Sequence, residues 1–200
     1  GIGRVTEAKL ESVGIRTIQD LRRVPRELLE RHLGAEAERY WKLAHGIDDR
    51  VVTPDRDAKS IGHEQTFEVN VADPEDIRTV LMDQVELVAQ RLRKHGIHAR
   101  GISLKIRYGD FQTISRSRTL PASTNSTQEL WQAARDVFNE WPFQPVRLIG
   151  VSAERLSSGD EQMALFRDPE RERQKKLDAV ADQINQKFQK RTIGRGIRPK

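Results

Sequence analysis

The 200-residue sequence predicts an α+β fold: a small all-helical domain, a βαββαβ domain with a four-stranded sheet and two helices on one face, and a helical tail. Three observations predict it. Glycines cut residues 1–46 into short helix-length pieces. In Ile102 to Tyr108, Ile102, Leu104, Ile106 and Tyr108 point one way, and Ser103, Lys105 and Arg107 the other. Between these regions, Ile77, Leu81, Val85, Val88 and Leu92 recur at helical spacing.

The elements follow in order. Gly1-Ile2-Gly3 precedes a helix over Arg4 to Val13, which Gly14 ends. Thr17 to Asp20 fits a capping pattern for a second short helix. Pro25 suits a first helical position, and that helix stops at Gly34. Another helix, Ala35 to His45, stops at Gly46. Ile47 to Lys59, with Pro54 and its aspartates, reads as a linker. Ser60 to Val69 is a strand, and Asp73 caps a helix that opens with Pro74 and ends at Lys94-His95-Gly96. Two strands with a tight connection occupy Ile102 to Leu120. Ser126-Thr127-Gln128-Glu129 is a capping box for a helix with Leu130, Ala134, Val137 and Trp141 inward, and Pro142 and Pro145 end it. Val146 to Glu154 is the last strand. The sheet is antiparallel or mixed, with one face free. In its third strand Ile114, Arg116, Arg118 and Leu120 share a parity, so alternation does not fix which face each takes. The expected domains are a helical domain at 1–46, a linker at 47–59, a sheet domain at 60–157 and a tail at 158–200. In the tail, Leu177, Val180, Ala181, Ile184 and Phe188 form an apolar stripe at helical spacing.

Composition narrows the function. Hydrophobic content of 36% is low and charged content of 32% high, as expected for small domains, linkers and an exposed tail. There is no cysteine, which excludes disulfides and thiolate metal sites. No apolar run is long enough to span a membrane, and no signal peptide is visible. Residues 170–200 hold ten basic and four acidic residues, a net of +6, so residues 1–169 sum to −1 within the overall +5. Nucleic-acid contact by the earlier domains must therefore come from local arrangement rather than bulk charge.

Such an arrangement is present. A sheet face bearing Lys105, Arg107, Arg116, Ser117 and Arg118 suits a phosphate backbone, because cations supply charge and hydroxyls supply hydrogen bonds that read no base. An ordinary solvated face is the competing explanation. Gly1, Gly3 and Arg4 resemble the turn of a helix-hairpin-helix, where small residues let helix N-terminal amides approach a phosphate; a plain glycine turn is the alternative. The chain starts inside that pattern, so part of the hairpin is expected to be missing. Gln162-Met163-Ala164-Leu165-Phe166 resembles the pentapeptide by which many bacterial proteins dock on the sliding clamp. Leu165 and Phe166 would fill an apolar pocket, each worth about 2 kcal/mol or more, with the Gln162 amide bonding at the rim and Met163 a variable position. The five histidines form no ligand set by spacing, helix capping accounts for Asp73, Glu75 and Asp76, and no metal site, nucleophile arrangement or P-loop is found.

Together these features resemble the C-terminal half of the bacterial Y-family translesion DNA polymerases of the polymerase IV type. The matching pieces are GIGRVTEAKLESVGI and HGIDDR in the thumb. KSIGHEQTF, KIRYGDFQTISRSRTL and PVRLIGVSAERL match the little finger, and QMALF the tail. The resemblance covers about residues 1–166. It implies primer–template DNA held by the thumb and by a little-finger sheet lying in the major groove. It places DNA contacts at Ser60, His63, Lys105, Arg107, Arg116, Arg118 and Arg147, with His63 a departure where relatives often carry arginine. In such enzymes palm carboxylates hold two Mg²⁺ ions. The palm lies earlier in those chains, so Mg²⁺ belongs to the parent polymerase and no catalytic residue or activity is expected from these 200 residues alone. The sliding clamp is the second expected partner, and a monomer in the nucleoid-associated cytoplasm is the expected state. Two rivals are a noncatalytic clamp-associated accessory protein and an RNA-binding βαββαβ module. Against the latter, only Tyr108 and Phe111 are near as aromatics that stack bases.

Overall fold

Residues in the left-handed region set the helix ends of the first unit, residues 1–56: Gly14 (φ +82°) and Gly46 (φ +76°) adopt a backbone that side chains with a Cβ resist. The computed structural model describes residues 2–53, 58–158, 168–189 and 192–195. The first unit contains α1 (Arg4–Glu11), α2 (Ile18–Arg23), α3 (Arg26–Leu33), a 3₁₀ turn (Gly34–Glu36) and α4 (Ala37–Ala44). Thr17 caps α2: its hydroxyl accepts from the Asp20 amide at 3.1 Å, and the Asp20 carboxylate accepts from the Thr17 amide at 3.0 Å. The Thr17 hydroxyl, followed by the Arg16 and Thr17 amides, holds the Asp20 carboxyl below its ordinary value. Pro25 is the N-cap of α3 rather than its first residue, and the segment after it opens with the 3₁₀ turn instead of an α-helix. Leu10, Ile15, Leu21, Leu29, Ala37 and Tyr40 form this unit's core.

The second unit, residues 57–200, contains β1 (Ser60–Val71), α5 (Pro74–Lys94), β2 (Ile97–Tyr108), β3 (Thr113–Thr124), α6 (Thr127–Asn139), β4 (Val146–Ser158) and α7 (Pro169–Lys187). The sheet order is β1-β4-β2-β3 with every neighbouring pair antiparallel, so β1 and β3 are the edges. α5 and α6 cover one face. Ile77, Leu81, Val85, Val88 and Leu92 of α5 are buried against Ile102, Leu104 and Ile106 of β2 and Ile149 and Val151 of β4. Each such side chain contributes about 1.5–3 kcal/mol relative to exposure. Buried Gln84 donates from Nε2 to the Ile149 carbonyl at 3.1 Å, which ties α5 to β4 within the core.

The capping box expected at α6 is absent. Ser126 makes no side-chain cap. The Asp178 carboxylate of α7 accepts from the Thr127 amide at 3.0 Å and does that work instead. The apolar stripe of the tail is only partly covered: Leu177, Val180 and Phe188 are exposed and Ala181 and Ile184 half-buried, while Asp178 is 3% exposed. α7 docks on α5 and α6 through charge. Arg93 of α5 grips Asp182 through Nε and Nη2 (2.7 and 3.0 Å) and approaches Asp178 at 3.4 Å, and Arg195 meets Asp178 at 2.9 Å. Among the described residues no helix is long and apolar enough to cross a membrane.

Candidate nucleic-acid interface

The register assigns every strand residue to a face, because directly paired residues of adjacent strands project to the same side. Ile102, Leu104 and Ile106 pair with Ala153, Val151 and Ile149 on the helix-covered side. The opposite, open side is built in rows across all four strands. Ser60, Glu154, Gly101 and Thr119 form one row, and Gly62, Ser152, Ser103 and Ser117 the next. Glu64, Gly150, Lys105 and Ser115 form the third, and Thr66, Leu148, Arg107 and Thr113 the fourth. Four of the expected site residues therefore share this surface: Ser60, Lys105, Arg107 and Ser117.

The open face is hydroxyl-rich, and Arg155 adds a cation to its margin by donating from its guanidinium to the Thr119 hydroxyl at 2.7 Å. Its four rows hold two cations, Lys105 and Arg107, and two carboxylates, Glu64 and Glu154. The Arg107 guanidinium donates to the Thr113 hydroxyl at 2.8 Å. Lys105 Nζ reaches over β4 to the Glu64 carboxylate at 2.9 Å. Gly150 lies between them, and a Cβ there would stand 2.7 Å from the Glu64 Cβ. The missing side chain lets this pair span three strands.

Arg116 and Arg118 lie on the other side. They pair with Leu104 and Ile102, so they share the helix-covered face with Ile114, at the outer margin of the edge strand β3. This corrects the expectation of one face shared with Lys105 and Arg107. The shared parity of Ile114, Arg116 and Arg118 left the choice open, and pairing with the apolar positions of β2 decides it. Both guanidiniums turn toward the end of α6. Arg118 bonds Asp136 at 3.2 Å and also Glu140, while Arg116 donates to the Glu140 carbonyl at 2.9 Å and lies 5.6 Å from the Trp141 ring centre. β3 thus carries hydroxyls on one side of its free edge and arginines on the other. Its alternate amides point outward because, among the described residues, β2 is its only strand partner.

The remaining expected residues are dispersed. His63 pairs with Val151 and faces the helix side, half-buried, because three positions along a strand reverse the face relative to Ser60. It does not join the open face. Arg147 sits where the β2–β4 register shifts, with its guanidinium 4.8 Å from the ring centre of Phe111. Gly3 and Arg4 belong to the first unit, where Gly3 is the extended N-cap of α1 and its carbonyl accepts from the Glu7 amide. Gly1 and Gln162 to Phe166, including Met163, lie outside the described residues. Thr66, Ser115 and Ser152 join the open face although the sequence did not single them out. Period-two spacing was their signal, but only the strand register assigns them. Tyr108 is buried among core residues, which leaves Phe111, 63% exposed and beneath Arg147, as the one aromatic of the pair open to solvent. That pattern does not make a base-stacking platform. Among the described residues no group of three or more His, Cys, Asp or Glu side chains could hold a metal ion.

Comparison with known proteins agrees with this architecture. The impB/mucB/samB family C-terminal domain matches residues 58–165, and the DNA polymerase-iota thumb domain matches residues 1–48. DNA polymerase IV of Dehalococcoides mccartyi is 37% identical over 191 residues, covering 94% of this chain and 48% of the relative. DNA polymerase IV of Desulfatibacillum aliphaticivorans is 35% identical, covering 96% and 50%. DNA polymerase IV of Methanoculleus marisnigri is 40% identical over 163 residues, covering 80% and 44%. The chain spans about half the length of the curated relatives it matches. A solved Y-family DNA polymerase chimera shares the fold, with TM-score 0.54 at 22% identity, covering 80% of this chain and 46% of that one.

Proposed function

The chain belongs to the impB/mucB/samB C-terminal domain family, and from that premise we propose that it is the DNA-holding thumb and little finger of an error-prone translesion DNA polymerase. The observation that carries the proposal is the free edge of β3. A phosphate backbone laid along it meets outward amides, the Ser115 and Ser117 hydroxyls on one side, and Arg116 and Arg118 on the other. Lys105 and Arg107 stand one strand further in, among hydroxyls. The set is four cations and two short hydroxyls beside outward amides, groups that bond phosphate oxygens without reading a base. The grip therefore follows backbone shape and tolerates altered bases. Gly3 and Arg4 at the start of α1 provide a second, thumb-side contact.

Polymerisation belongs to the whole protein. Its Mg²⁺ chemistry would be supplied by palm carboxylates outside these residues. The Gln162-Met163-Ala164-Leu165-Phe166 sequence supports a second task, docking on a bacterial sliding clamp. On this view the protein works as a monomer on primer–template DNA in the nucleoid-associated cytoplasm.

The test is fluorescence anisotropy of the chain on labelled primer–template duplexes of two unrelated sequences over a salt series. Equal affinities with a log–log slope of roughly −3 to −6 are expected. Arg116→Ala with Arg118→Ala should weaken both duplexes alike. No binding at low salt, or a loss confined to one sequence, would overturn the proposal.

A further inference from the structure

The grip carries its own counter-ions. Lys105 on the open face is held by Glu64 at 2.9 Å, and Arg118 on the flank is held by Asp136 at 3.2 Å and by Glu140. These pairs have two features in common. Each cation is reached from a different element, Glu64 from β1 and Asp136 with Glu140 from α6, so neither is a chance neighbour in sequence. Each pair is also substantially exposed, with side chains 37–55% accessible, where an ion pair is weak and exchanges readily with another anion.

The surrounding structure is shaped to permit both. Glu64 reaches Lys105 only because Gly150 between them has no side chain. Asp136 and Glu140 lie one helical turn apart at the end of α6, so two carboxylates converge on one guanidinium. Two oxygens beside a guanidinium present the same acceptor pattern as a phosphate. Arg107 and Arg116 are engaged differently, by the neutral Thr113 hydroxyl and Glu140 carbonyl.

We propose that Glu64, Asp136 and Glu140 are positioning residues that stand in for DNA phosphates, holding Lys105 and Arg118 extended while lowering duplex affinity through direct competition. The inference rests on the DNA-holding function proposed above. The carboxylates lose their cations to phosphate when duplex arrives and recover them when it leaves. This keeps the grip weak enough to be released and remade as the duplex advances. It also explains why a surface taken to bind a polyanion keeps acidic groups beside its cations.

Double-mutant cycles on duplex affinity test this. Glu64→Gln should tighten duplex binding about two- to fivefold, and Asp136→Asn with Glu140→Gln by a similar factor. Glu172→Gln on α7, away from the grip, changes net charge by one and sets the gain per unit of bulk charge. The decisive reading is the coupling. In a Lys105→Ala background the Glu64→Gln gain should fall to the Glu172→Gln level, and in an Arg118→Ala background the Asp136→Asn with Glu140→Gln gain should fall to that of two such charges. Gains no larger than the control, weaker binding, or gains that persist without the paired cation would overturn the inference while leaving DNA holding intact. A wild-type chain that fails to bind duplex at low salt would overturn both.

Discussion

Replacing Asp178 with alanine should be among the most damaging single changes in the second unit. The side chain is 3% exposed and serves three partners: the Thr127 amide at 3.0 Å, Arg195 at 2.9 Å and Arg93 at 3.4 Å. Two costs compete for the larger share. Loss of a helix cap is typically worth about 1 kcal/mol. Arg93 keeps its two bonds to Asp182, but leaving Arg195 partly buried without its carboxylate is worth about 3–5 kcal/mol, and this dominates. Asp178→Ala should therefore cost about 3–5 kcal/mol, a fall in melting temperature of roughly 10 °C. Asp178→Asn keeps an oxygen for the Thr127 amide and should cost about 1 kcal/mol less. Arg118→Ala, at an exposed ion pair, should stay within about 0.5 kcal/mol of wild type. Urea unfolding followed by Trp131 and Trp141 fluorescence in a Trp41→Phe background reads the second unit selectively. A loss below about 1 kcal/mol for Asp178→Ala would refute the claim that α7 is docked by buried charge rather than resting on the surface.

Three further outcomes are expected. Gly150→Ala should cost about 1–3 kcal/mol in urea unfolding, because its Cβ would meet the Glu64 Cβ at 2.7 Å and the His63 carbonyl at 3.3 Å; a neutral substitution would show that β1 and β4 are not so closely apposed. The Asp20 carboxyl is held below its ordinary 3.8, so its contribution to stability is complete above that value and is lost as pH falls through the lowered one. Melting curves from about pH 5 to about pH 2 should show this acid loss shrink in Thr17→Ala, which removes the largest cause of the shift, and an unchanged acid limb would contradict the capping box. Leu165→Ala with Phe166→Ala should abolish retention on an immobilised bacterial sliding clamp while sparing duplex binding; equal loss of both would assign the segment to folding.

Local periodicity made much of the fold legible. α5 runs from Pro74 to Lys94 as its cap and stripe predict, and all five of its expected inward residues are buried. The glycine stops at Gly14, Gly34 and Gly46 are all real helix ends. What the sequence hid depends on partners far away in the chain. The side of β3 that bears Arg116 and Arg118 follows from pairing with β2, and arginine is tolerated there because the margin of an edge strand is open. The cap of α6 comes from Asp178, 51 residues away, while the local Ser126 pattern is left unused. α7 buries an acidic residue and exposes Leu177 and Val180, which the sequence did not reveal because isolated long-range ion pairs leave no periodic trace. On the open face Ser103, Lys105 and Arg107 could be read from alternation, whereas the apposition of Glu64 and Lys105 needed the intervening Gly150 and the full strand order.

An unpaired strand edge is also a template on which another chain can add a strand, and β3 offers twelve residues of it. Two copies meeting edge to edge through β3 would bring the arginines of each close to those of the other, and like charges facing across a strand pair oppose pairing. Arg116 and Arg118, proposed above to meet phosphate, would thereby also oppose pairing between copies. Variants that remove them should lose colloidal stability together with DNA affinity, so their binding curves have meaning only beside light scattering at the same concentration.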